Sequence, residues 1–278
     1  MGKEWDLDLL ICGTSAAEAW PAIFCTCEAC TRARRQGGKN RRTRAAYMLG
    51  DRVRVDFGPD TNCHQLHYNL DLGALEHILV THSHDDHWSP MDLNYRSPGF
   101  SDVPDHLLTV WGNEAVERSL SEACGTDLAR LRLKFHRIEA FREADLGNGA
   151  VAIPVPAAHD PKELCVNYRL HVGGRTLLLG HDTGWYPEDT WAFLGGVPLH
   201  VVILDCTYGP VESCEGHMGC SYVVRARDEL ARRGALAPDA RVIATHFSHN
   251  GGWLHEDLED YFAPHGIEVA YDGMRIPL

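Results

Sequence analysis

Thr81-His82-Ser83-His84-Asp85-Asp86-His87 is the stretch on which the reading of this chain turns. It closes the apolar run 77–81, which has the length and β-branched content of a buried strand. Successive side chains on a strand point to opposite faces, so three imidazoles and a carboxylate this close cannot all converge from a strand. A loop at a strand end can splay them into two coordination sets, and a dinuclear metal site is the natural solution to the spacing.

Working outward from this motif, short apolar runs bounded by Gly, Pro, Asn or Asp recur along the chain and predict further strands. They lie at 7–12, 47–49, 53–57, 107–111, 151–155, 166–172, 176–179, 200–205 and 241–245. The run at 47–49 should pair with 53–57 across Gly50-Asp51, and Gly173-Gly174 should form a tight hairpin turn. Apolar stripes at helical spacing predict helices over 114–123, 222–233 and 254–262. No repeat or low-complexity linker divides the sequence, so residues 1–278 are read as one α/β domain, two sheets packed as a sandwich and flanked by helices.

The composition narrows the partners. Asp and Glu total 39 against 26 Lys and Arg, a formal net charge of −13. A field of that sign repels polyphosphates and acidic membranes, which argues against long nucleic acid or a lipid surface. At 44 % hydrophobic and 23 % charged residues the chain has the average make-up of folded proteins, so the acidity is not a sign of disorder. The sequence MGKEWDLDLL shows no secretory h-region and no run approaches the ~20 apolar residues of a membrane span, which predicts a cytoplasmic protein.

In a reducing compartment, cysteine spacing reads as metal binding or burial rather than as disulfides. Cys25-Thr26-Cys27-Glu28-Ala29-Cys30 supplies three thiolates, one short of a closed tetrahedral zinc site, so a fourth ligand must come from elsewhere. Cys206, Cys214 and Cys220 are irregularly spaced and are expected to pack as buried thiols. His64 and His67, three apart on a possible helix with no third ligand nearby, read as surface residues. Segment 32–44 carries seven Lys and Arg with no acid between them, either a phosphate-attracting rim or a solvated face.

The H-x-H-x-D-H motif after a strand resembles the metallo-β-lactamase superfamily, whose fold is an αββα sandwich with metals at one edge of its two sheets. Carried over residue by residue, the resemblance implies that His82, His84 and His159 hold one metal and that Asp86, His87 and His246 hold the other. Asp182 would bridge the pair, and Asp56 would orient a ligating imidazole from behind. The cysteine loop is similar to that of the PhnP-like phosphodiesterase branch, in which a histidine three positions after the last catalytic ligand completes a structural zinc site. That position is His249 here, beside Cys25, Cys27 and Cys30. The same branch implies that His217 is a non-ligating catalytic histidine that binds the phosphate or protonates the leaving alkoxide. Gly58-Pro59-Asp60, Asp182-Thr183 and Gly216-His217-Met218 extend the likeness, whereas Thr61-Asn62-Cys63-His64 stands where relatives often place an arginine, which bears on substrate identity.

The expected function is therefore a dinuclear metal-dependent phosphodiesterase, using two zinc, manganese or iron ions and a metal-bridging hydroxide on a small phosphate ester, a cyclic ribose phosphate being what the resemblance implies. One further zinc would be structural, and a homodimer is the expected assembly. A lactonase, thioesterase, β-lactamase or RNA-processing nuclease could use the same motif on another substrate. A zinc-stabilised nucleic-acid-binding module is the alternative of a different class, distinguished by salt-sensitive binding without hydrolysis.

Overall fold

The computed structural model describes residues 8–278, so residues 1–7, with Leu7 at the start of the first expected strand, lie outside the described residues. The strands of the first half are β1 (Asp8–Gly13), β2 (Ala46–Leu49), β3 (Val53–Val55), β4 (His77–Leu79), β5 (Leu108–Gly112), β6 (Leu133–Arg137) and β7 (Ala144–Asp145). Those of the second half are β8 (Val151–Pro156), β9 (Val166–Val172), β10 (Arg175–Gly180), β11 (Leu199–Asp205), β12 (Leu236–Thr245), β13 (Ile267–Val269) and β14 (Met274–Pro277). The helices are α1 (Glu28–Gln36), α2 (Thr61–Tyr68), α3 (Glu114–Cys124), α4 (Glu188–Leu194), α5 (Cys220–Arg232) and α6 (His255–Phe262).

These strands form two seven-stranded mixed sheets, ordered β14-β1-β2-β3-β4-β5-β6 and β13-β12-β11-β10-β9-β8-β7. Both hairpins expected from the sequence are present: Leu49 pairs with Val53, and Val172 pairs with Arg175. Alternation along each strand builds three apolar layers. Leu9, Ile11, Val53 and Val55 of the first sheet meet Leu177, Leu179, Val201 and Ile203 of the second between the sheets. Leu178, Val202 and Leu204 face the other way, onto Trp191 of α4, Val223 and Leu230 of α5, and Phe262 of α6. On the outer face of the first sheet, Leu10, Ile78 and Val110 pack against Val116 and Leu120 of α3. Each such fully buried side chain contributes about 1.5–3 kcal/mol relative to exposure, so the sandwich is held from three sides. This is the αββα arrangement expected for the fold class.

The topology also decides where a site can form. Strands β3, β4 and β5 run parallel, as do β10, β11 and β12, so each group gathers its carboxyl ends at one edge. Loops at the carboxyl ends of parallel strands are the general location of ligand sites in α/β proteins. Helices α1 and α4 were not expected from the sequence, and α2 was read only as a possible helix around His64 and His67; the three are short, of nine, seven and eight residues. Among the described residues no helix is long and apolar enough to cross a membrane.

Candidate functional site

Asp56 follows β3, the His82–His87 motif follows β4, His159 follows β8, Asp182 follows β10 and His246 follows β12. All therefore sit on loops at one edge of the sandwich. Three of them, Asp56, Asp182 and His246, hold left-handed backbone with φ of 61°, 57° and 60°. Non-glycine residues in this region store strain that persists where the surroundings over-determine the conformation, which is common at functional sites. Gly58 fixes the motif loop from the other side: a Cβ there would lie 2.0 Å from the Asp86 carbonyl oxygen, so only glycine permits the approach.

The side chains converge as two sets. His82, His84, His159 and Asp182 place one donor atom each within 4.8 Å of one another, and so do Asp86, His87, Asp182 and His246. Asp182 is the shared member. In the first set His159 Nε2 lies 3.2 Å from His84 Nδ1, and His82 Nε2 lies 3.1 Å from Asp182 Oδ2. In the second, His87 Nε2 stands 3.0 Å from Asp86 Oδ2 and 2.9 Å from Asp182 Oδ2, with His246 Nε2 4.0 Å from the same oxygen. Despite these short separations, His82 Nε2, His87 Nε2, His246 Nε2 and Asp182 Oδ1 are buried without any aligned hydrogen bond. Each such orphan costs about 1–3 kcal/mol when left unsatisfied, and four clustered in one place face inward like ligand atoms around a common centre. Nitrogen and oxygen donors without thiolate fit a pair of divalent cations.

Behind each imidazole a second group fixes the ring. His87 Nδ1 donates to Asp56 Oδ2 at 2.7 Å, and the same oxygen accepts from His181 Nε2 at 2.7 Å. Burial pushes the Asp56 carboxyl up, but the charges and hydrogen bonds of His87 and His181 outweigh it and hold the group below the usual carboxylate range. His84 Nε2 lies 3.2 Å from Asp160 Oδ2, and His159 Nδ1 donates to the Gly216 carbonyl at 3.1 Å, which leaves Nε2 of that ring as the lone-pair atom. Glu163 clamps the motif itself, accepting from the Ser83 amide and hydroxyl and from Asn113.

Asp205, at the end of β11, backs the far side. Its Oδ1 accepts from the amides of Thr207 and Met218, and its Oδ2 from the Asp182 amide and the Thr207 hydroxyl. The same Oδ2 lies 3.2 Å from both His246 Nδ1 and His217 Nδ1. His217 Nδ1 also stands 3.1 Å from Asp182 Oδ1, so Nε2 is its atom available to a ligand. Burial lowers the affinity of His217 for a proton, but Asp205 and Asp182 raise it more, to a pKa of about 11. His217, Asp182, His84 and His159 line a cleft of about 370 Å³.

The cysteine loop lies next to this cleft. Cys27 caps α1, and Cys25 Sγ and Cys27 Sγ approach His249 Nδ1 at 3.6 and 3.4 Å, with Cys30 in the same group. Ligand atoms on a tetrahedral zinc, at about 2.3 Å for sulfur and about 2.0 Å for nitrogen, stand about 3.6 Å apart, so the spacing suits such an ion. The hydrogen bond from the Cys30 amide, at the helix start, pulls the Cys27 thiol down to about 6, whereas burial drives Cys30 up to about 12.

Sequence reasoning missed Asp160, Glu163, His181, Asp205 and Thr207. Only Asp205 carried a signal, a carboxylate ending the fully buried run Val201–Leu204 in the register of Thr245. One other reading is corrected, and one left open between two alternatives is decided. His64 is core rather than surface: its Nδ1 accepts from Arg54 Nη2 at 3.0 Å and its Nε2 donates to Thr43 Oγ1 at 2.8 Å, while burial and Arg54 hold its pKa down to about 2. His67 is exposed as expected. Segment 32–44 is not a cleft rim, since none of its cations lines the cleft. Arg42 is buried on the Thr14 hydroxyl and Ala270 carbonyl, and Arg32, Lys39 and Arg44 face Asp257, Glu259 and Asp60. Cys206 and Cys220 are buried with sulfurs 3.5 Å apart, and Cys214 is half-buried.

No curated protein matches the chain significantly. Solved structures do. A diphosphatase from the PhnP family superposes with a TM-score of 0.75 at 24 % identity, covering 97 % of this chain and 96 % of that one. Zn²⁺-bound PqqB from Methylobacterium extorquens gives 0.73 at 17 % identity, covering 98 % and 100 %. The short form of human tRNase Z gives 0.64 at 16 % identity, covering 97 % and 98 %. Identities this low speak for a common fold, on which different substrates are handled. The sequence model of the beta-lactamase superfamily domain matches residues 51–247, the stretch from β3 to the His246 loop that supplies both donor sets, and the chain belongs to that superfamily.

Proposed function

We propose that the chain is a dinuclear metal-dependent hydrolase, a phosphodiesterase acting on a small phosphate ester. The observation that carries this reading is the pair of donor sets sharing Asp182 and opening into the same cleft as His217. When bound there, two divalent cations supply Lewis acidity toward a phosphoryl oxygen and make water acidic enough to act as nucleophile near neutral pH. His82, His84 and His159 would hold one cation and Asp86, His87 and His246 the other, with Asp182 serving both. Asp56, Asp160 and Asp205 orient these rings so that little reorganisation remains at reaction. His217, its Nδ1 anchored on Asp205 and Asp182, directs Nε2–H at the departing alkoxide oxygen and gives it the proton. A cleft of about 370 Å³ suits a mononucleotide-sized ester rather than a polymer. The likeness to a PhnP-family diphosphatase supports hydrolysis at a phosphoryl centre.

Cys25, Cys27, Cys30 and His249 would hold a structural zinc that ties the loop before α1 to the turn after β12. Thiolate ligands need a reducing compartment, which supports a cytoplasmic setting.

Protein loaded with Zn²⁺, Mn²⁺ or Fe²⁺ should hydrolyse bis-p-nitrophenyl phosphate, lose the activity to a chelator and regain it on metal addition. No turnover with any of these metals overturns the reading. Elemental analysis should return three metal ions per chain, one of them zinc that survives chelation. Two or fewer after full loading would remove either the pair or the cysteine-loop ion.

A further inference from the structure

The wall of the cleft away from the donor sets carries an unexpected charge. Glu18, on the loop after β1, lines the cleft together with Ser248 and Asn250 from the turn after β12 and with Tyr208 and Val211 from the loop after β11. Its Oε1 accepts the Ser248 hydroxyl and stands 3.6 Å from His249 Nε2. Those contacts fix the carboxylate while Oε2 has no protein donor among the described residues. The side chain is 29 % exposed, so this oxygen is within reach of a ligand.

Equally informative is what does not line the cleft. No lysine or arginine does so among the described residues. Arg44 touches the wall by donating to the Ala17 carbonyl at 2.7 Å, but its guanidinium is committed to Asp60 at 3.0 Å. The remaining wall is uncharged: Ser248 and Asn250 are neutral, Val211 is 54 % exposed, and the Tyr208 ring packs 5.5 Å from that of His217. Sites that take a second phosphate normally answer it with arginine, lysine or a cluster of backbone amides. Here an added phosphate, with a charge of about −1.5 to −2, would meet a fixed carboxylate and a wall without a cation.

We infer that Glu18 selects the substrate: its free oxygen accepts a hydroxyl on the alcohol portion of a singly charged phosphodiester, and its charge turns away esters that carry a second phosphate. This rests on the phosphodiesterase reading and narrows it from phosphate esters in general to hydroxyl-bearing diesters without a further phosphate. The preference arises from both sides of the comparison, since the right substrate gains a charge-assisted hydrogen bond and the wrong one gains a repulsion.

Two substrates that differ at one group test it: thymidine 5′-(p-nitrophenyl phosphate), with its free 3′-hydroxyl, and the same compound phosphorylated at the 3′ oxygen. The metal-loaded enzyme should favour the hydroxyl form by at least about tenfold in kcat/KM, mostly through KM. Glu18→Gln, which keeps the shape and removes the charge, should bring the ratio to within about threefold, and Glu18→Lys should invert it. Calorimetry provides a readout independent of turnover. Thymidine 5′-monophosphate should bind the loaded protein at least about tenfold more tightly than thymidine 3′,5′-bisphosphate, with the order reversed in Glu18→Lys. Equal handling of the two ligands by the unmodified protein, or a ratio unmoved in both variants, overturns the role of Glu18. Failure to hydrolyse either nitrophenyl diester while the calorimetric preference holds would instead overturn the phosphodiesterase reading and leave the selection by Glu18 standing.

Discussion

Asp182→Asn is expected to cut turnover of bis-p-nitrophenyl phosphate by more than about 10³-fold, because one lost electrostatic contact at a reacting centre costs 10²–10³ and this carboxylate serves two donor sets. The same substitution should empty the paired centre while the cysteine-loop ion stays, a split that elemental analysis can read. Asparagine is the informative replacement. Asp182 holds φ of 57°, a left-handed conformation that asparagine adopts readily, whereas alanine there would add roughly 1 kcal/mol of backbone strain. The variant therefore removes charge with little change of shape. Burial opposes ionisation of Asp182, but His246, His217, His82 and His87 together hold it well below the usual carboxylate range, so the native group is an anion and the amide a true loss of charge. Retained turnover with a full complement of metal would sink the shared-ligand assignment.

Asp205→Asn is expected to destabilise the fold by about 3–5 kcal/mol, the usual result of breaking a buried charge away from its partners. Its effect on the site should be separate and measurable, a fall of about 10–100-fold in metal affinity of the pair, as befits a group that orients ligands rather than binding the ion. The reason lies in the donors. Oδ1 faces the amides of Thr207 and Met218, and Oδ2 faces the amide of Asp182, so whichever way an asparagine turns, its NH₂ meets a backbone N–H. Neither orientation can satisfy both sides. His246 and His217 would lose the partner of their Nδ1 atoms at the same time. Denaturant unfolding and a metal titration would report the two effects. An unfolding midpoint and metal affinity equal to those of the unmodified chain would show that Asp205 is neither an anchor nor an orienter.

The contrast between these two residues shows what could be read in advance. Asp182 was identifiable because it follows the apolar run 176–179 and stands next in order after His159, where the resemblance opened by the H-x-H-x-D-H motif implies a ligand. Asp205 occupies a similar strand end, and that position is its one signal in the sequence; its importance comes from amides contributed by two separate loops, those after β10 and β11. The same holds for His181, next to Asp182 in sequence, whose partner Asp56 lies 125 positions away. Helix α2 was legible only as a possible one for a related reason: eight residues offer two turns, and the stripe that buries Thr61 and His64 is polar.

By itself the sequence determined the chemistry of the donors and the architecture that carries them. Spacing, strand-end position and alternation of apolar residues are local properties, and a motif of three histidines and a carboxylate after a buried strand states its own requirement for a loop and for metal. Only the tertiary structure decided which buried polar group answers which. Whether His64 and Arg42 are core or surface, which carboxylate stands behind each imidazole, and whether segment 32–44 reaches the cleft all depend on partners tens to hundreds of positions away. A polar side chain is buried only if such a partner exists, and that is a property of pairs brought together by the two sheets, not of either residue in its own stretch of chain.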